Sequence, residues 1–135
     1  ERAVLLDTGM LRSVYQGSGY ATEFAGGTIT TIHEDGTRAP PLVDSEWVLG
    51  SEQRLTRIVL NGLTGPIKVN GRQWYLDMPS MGLFDDEQVA SILTYIRREW
   101  ENGGAPVQPE TVKKIRADTA NRQEAWSQAE LLKVP

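Results

Sequence analysis

One segment constrains the fold class more than any other. Asp85 precedes a run in which Val89, Ile92, Leu93, Ile96 and Trp100 recur at helical spacing, and Gln88 stands three residues after Asp85. An N-cap carboxylate accepts from the third backbone N–H of the helix, while a glutamine at that third position reaches back to the cap. The pattern therefore predicts a capping box opening an amphipathic helix, stopped by Asn102-Gly103-Gly104. Asp85, Asp86 and Glu87 then lie in its first turn, where carboxylates meet the helix dipole favourably. That accounts for the acidic cluster better than a metal or acid–base site does.

Three further helices are predicted around it. Ser51 is a good N-cap for a helix to about Leu60, with Leu55, Ile58 and Val59 as its stripe and Asn61-Gly62 as its stop. Pro109 to about Thr119 is helical with a thin apolar side, Val112 and Ile115. Arg2 to Thr8 is helical, with a continuation toward Val14 left open because Gly9 interrupts it. A last turn follows Ser127, with Glu130 as its capping-box partner. Ile67 to Leu76 reads as two strands around Asn70-Gly71, a strong hairpin signal. Tyr20 to Arg38 is rich in Thr, Gly and β-branched residues and predicts a second hairpin or an ordered loop.

The chain has 135 residues, 39 % of them hydrophobic and 24 % charged, which suits one domain with an ordinary core. Its net charge of −4 argues against nucleic acid as a partner, which would require a basic footprint. No apolar run approaches the roughly 20 residues needed to span a bilayer. The chain begins at Glu1, so it reads as a processed chain or an excerpt. There is no cysteine, which excludes disulfides, thiolate metal sites and thioether attachment of haem. Gly17-Ser18-Gly19 lacks the rest of any phosphate-binding loop and is a turn signal. No nucleophile elbow surrounds a serine and no convergent catalytic set is visible, so the expectation is that the chain is not an enzyme.

Order and spacing carry more than any single motif. Ala39-Pro40-Pro41-Leu42, Ser45, Trp47-Val48 and Gly50-Ser51 are followed by Arg57-Ile58, Asn61-Gly62-Leu63 and Thr64-Gly65-Pro66-Ile67. Asn70-Gly71, Met78-Pro79, Met81-Gly82, Asp86, Ala90 and Leu93-Thr94-Tyr95-Ile96-Arg97 continue the series up to Trp100. From about Ala39 to Trp100 the chain resembles the class I cytochrome c domains found alone or fused to periplasmic sugar and alcohol dehydrogenases. The resemblance implies a mainly α, cytochrome c-like fold with one or two short β-hairpins, near Ile67–Leu76 and Tyr20–Arg38. It implies terminal helices that pack across each other and a loop that brings a methionine to haem iron. Met78, before Pro79, stands at that ligand's place; a thioether is a soft ligand that suits haem iron.

The family's Cys-x-x-Cys-His motif can be laid on the chain in two registers. In the first, Gly9, Arg12 and Ser13 take its positions, Gly17-Ser18-Gly19 follows as the family's glycine pair does, and 20–38 is an insertion. In the second, Ile29, Ile32 and His33 take them, which keeps an imidazole but asks a β-branched stretch to be helical. The first is preferred because it needs one insertion and starts the domain at the start of the chain. Covalent haem is impossible in both.

The expectation is a single domain over 1–135, with an insertion at 20–38 and a C-terminal helical extension at 105–135. It has electron-transfer lineage, lacks the haem-attachment motif and holds no cofactor. Its role would be that of a scaffold or protein-interaction module. The lineage points to a periplasmic or extracellular setting and to a partner such as a periplasmic dehydrogenase or the subunits of an assembly. The alternative is an electron-transfer domain that binds haem non-covalently through Met78 and His33. Otherwise His33 is a loop imidazole, and Met78 and Met81 fill the core. Trp47, Trp74, Tyr75 and Trp100 are candidates for a flat ligand pocket, against an ordinary core role. Loss of a porphyrin would leave a costly void, which Phe24, Ile29 and Ile32 of the insertion are expected to fill.

Overall fold

A computed structural model of the chain describes residues 20–25, 28–33, 40, 42, 44–99 and 101–135. The expected first helix, the Gly9, Arg12 and Ser13 positions, Gly17-Ser18-Gly19 and Trp100 lie outside the described residues. The elements run β1 (Tyr20–Ala25), β2 (Thr28–His33), α1 (Glu46–Leu49), α2 (Glu52–Asn61), β3 (Leu63–Val69), β4 (Arg72–Met78), α3 (Asp86–Arg98), α4 (Pro109–Asp118) and α5 (Gln128–Leu131). Helices alternate with two separate antiparallel hairpins, β1–β2 and β3–β4. The domain is thus helical with β elements and is not strictly all-α.

Local chemistry explains most boundaries. Asp85 caps α3 through the N–H of Gln88, and Gln88 answers the Asp85 N–H. Ser51 caps α2 through Arg54 N, and Ser127 caps α5 through Glu130 N. Pro109 occupies the first position of α4, where its missing N–H costs nothing. Asn70 and Gly71 both have positive φ, 51° and 80°, which matches the right-handed twist of the flanking strands. The β3–β4 hairpin is longer than predicted because Leu63 to Val69 pairs continuously with Arg72 to Met78.

Helix α3 ends earlier than its glycine stop. Glu99 is its C-cap. Asn102 Nδ2 donates to Ile96 O at 2.9 Å and Gly104 N to Arg97 O at 2.6 Å, so the chain turns back and satisfies the last carbonyls. Sequence periodicity also passes over α1, a single turn capped by Ser45.

Among the described residues, two apolar clusters form the interior. The larger joins α1, α2, α3 and α4: Leu55, Val59, Val89, Leu93, Val112 and Ile115 are all buried in it. The two apolar residues of α4 therefore suffice to dock it on α2 and α3. The second cluster gathers Trp47, Ile58, Leu63, Ile67, Val69 and Leu131 under the β3–β4 hairpin. Arg97 is 7 % exposed, and its guanidinium donates to Ala105 O at 2.8 Å and to Val48 O and Gly50 O at 3.1 Å. Three carbonyls from two separate stretches thus satisfy a cation that would be costly to bury unpaired.

Candidate functional site

Met78 is the last residue of β4, opposite Leu63 of β3. Its side chain is half-buried and packs against both clusters. Strand alternation places Trp74 on the same face and Tyr75 and Asp77 on the other. Trp74 is half-buried, with the Arg72 guanidinium 4.6 Å from its ring centroid. Its Nε1 is buried and has no hydrogen-bond partner among the described residues.

The chain after Met78 is held tightly. Ser80 Oγ donates to Leu60 O at 2.5 Å, and Met81 N to Val59 O at 2.8 Å, tying the loop to the end of α2. Met81 is 4 % exposed and belongs to the larger cluster. Beneath the loop lies Gly62, at φ 87°, where a Cβ would collide with the Met78 carbonyl oxygen. The close approach and the positive φ both require glycine.

The other candidates scatter. His33 closes β2 opposite Tyr20; its side chain, and those of Phe24, Ile29 and Ile32, lie outside what is described. Strand β2 occupies the positions that the second register requires to be helical. Trp47 is buried in the second cluster and donates from Nε1 to Lys68 O at 2.8 Å, joining α1 to β3. Tyr75 is 78 % exposed, on the strand face opposite Trp74. Asp85 is a cap and Asp86 pairs with Arg116 at 2.8 Å. Among the described residues no three His, Cys, Asp or Glu side chains converge as a metal site. No described helix is long and apolar enough to cross a membrane.

Four helices thus share one core, and the β3–β4 hairpin with the firmly held methionine-bearing loop links α2 to α3, an arrangement consistent with a small domain of cytochrome c-like class. Cytochrome c-552 of Thermus thermophilus is 31 % identical over 88 residues, covering 62 % of this chain and 67 % of the relative. A second cytochrome c-552, from Thermus thermophilus strain ATCC 27634, shows the same identity over 60 % of its length. No family model matches the chain. The chain belongs to the cytochrome c family. With no cysteine to form a thioether, its residues do not fit covalent haem.

Sequence reasoning missed the residues that organise this site from a distance. Arg116 donates from Nε to Asp86, from Nη1 to Gly82 O at 2.8 Å and from Nη2 to Phe84 O at 2.6 Å. Trp126 donates from Nε1 to Asn61 Oδ1 at 3.1 Å, and the Arg122 guanidinium lies 3.6 Å from its ring centroid. These partners are 30 or more residues apart along the chain, or lie in irregular segments where periodicity carries no signal.

Proposed function

We propose that this cytochrome c-family domain serves as a haem-free scaffold that docks a protein partner and does not carry electrons. The observation that supports it is a cysteine count of zero in a chain that keeps the family's Met-Pro element and ordered core. Met78 then acts as packing between the two clusters. The lineage favours a periplasmic or extracellular setting, with a dehydrogenase or the subunits of an assembly as partner.

A second reading has one observation in its favour. The buried Trp74 Nε1 has no hydrogen-bond partner among the described residues and sits on the strand face that carries Met78. Non-covalent haem held by Met78 and His33 would make this an electron-transfer domain. Titration of the purified protein with haem separates the two. The scaffold reading expects a featureless, non-saturable rise in absorption that Met78→Ala leaves unchanged. A Soret band that saturates at one haem per chain and is lost in Met78→Ala would overturn it.

A further inference from the structure

Residues 105–135 meet the neighbourhood of Met78 from two sides. On the first, Trp126 runs parallel to Leu63, the strand partner of Met78. Trp126 N donates to Gly62 O at 2.9 Å and Thr64 N to Trp126 O at 2.8 Å. Trp126 is itself fixed by Asn61 and by the Arg122 guanidinium, which also bonds Ala125 O and Glu130.

On the second side, Arg116 closes over the loop that follows Met78. Its three bonds reach the carbonyls flanking Leu83 and the carboxylate that opens α3. Leu83 between them is fully exposed, so burial of its side chain cannot hold this turn in place. Met81 and Phe84 pack its two ends on the larger cluster, and between them a planar fork of donors matched to three acceptors, a geometry lysine cannot reproduce, fixes the carbonyls.

We infer that residues 105–135 form a clip that positions Met78 and its loop, with Arg116 and Trp126 as positioning residues for that methionine. Releasing either grip opens Met78 and Met81 to reagents in solvent. The inference goes beyond the scaffold reading and holds whether or not haem binds.

Hydrogen peroxide is a suitable probe, because a thioether takes one oxygen atom from it to give sulfoxide and water. Site-resolved oxidation of the full chain is compared in wild type, Arg116→Gln, Arg116→Lys, Trp126→Ala and Val48→Ala. Val48→Ala is a core truncation that removes neither grip, and each variant is measured at the same interval below its own Tm. Arg116→Gln is expected to raise oxidation at Met78 and Met81 about tenfold over Val48→Ala, the scale of losing charge-assisted hydrogen bonds, and Trp126→Ala, which loses the ring and its bond to Asn61 but keeps the backbone pairing with β3, to raise it severalfold at Met78. Arg116→Lys should recover part of the protection. In Arg116→Gln, amide exchange should quicken at Met81 and Gly82 and stay unchanged at Ile67 and Val69. If Arg116→Gln does not fold, Asp86→Asn removes the ion pair alone and is read in the same way. Equal oxidation in all variants at that matched interval would overturn the clip and leave Arg116 a purely structural residue.

Discussion

The two interior clusters solve the same problem by different means. The larger is built from α1 to α4, and its members interlock along the stripes of regular helices, with Val89, Leu93 and Val112 completely excluded from solvent. The smaller lies under a two-stranded hairpin, which would be marginal alone. It is completed from far along the chain by Leu131, 0 % exposed, and by Trp126 packed at its edge. Polar contacts fasten that cover. Lys68 N donates to Gln128 Oε1 at 2.7 Å, Arg54 Nε donates to Val134 O at 2.8 Å, and Ser51 Oγ donates to Pro135 O. One region is held by burial along helices; the other needs both burial and a tied strap. Met78 touches both, so it reports on each.

Truncation in the first cluster should have the largest effect. Leu93→Ala is expected to cost about 4 kcal/mol, because regular helices around it cannot collapse into the cavity. Chemical denaturation should show it as a lower midpoint at an unchanged slope. A cost below about 2 kcal/mol would mean that the helical cluster is as pliable as the strap. Leu131→Ala should cost less, about 2–3 kcal/mol, since its single helical turn can shift to fill the space. Its amide exchange should quicken over Leu63 to Val69 and not over α3; equal acceleration in α3 would dissolve the distinction between the regions.

Smaller effects sharpen the same contrast. Arg122→Gln removes the contact with the Trp126 ring and the bond to Glu130, and should cost about 1 kcal/mol. High salt should weaken the wild-type strap toward the variant. Asp85→Ala should cost about 1 kcal/mol by removing the N-cap, with exchange quickened only in the first turn of α3. Exchange rising along the whole helix would show that the capping box carries more than its local share.

The same contrast explains what was legible in the sequence. Helices α2 and α3 declare themselves through Ser51, Asp85 and Gln88 and through apolar residues at helical spacing, and the β3–β4 turn through Asn70-Gly71. All of these signals are local. The Met-Pro element singled out Met78 in the sequence, but the bonds that fix its loop left no mark there. Arg116 reaches Asp86 across 30 residues, and Trp126 reaches Asn61 across 65. Nothing in the composition of α4 or of the strap announces those partners. The early end of α3 was hidden for the same reason: a return of the chain at Gly104 sets it, overriding helical propensity.

The most direct test of a haem-free cytochrome c-family scaffold is the visible absorption spectrum of the protein recovered from haem-replete cells. The account predicts no Soret band, before or after reduction with dithionite. A Soret band that co-purifies with the folded chain in one-to-one ratio and sharpens on reduction would contradict it.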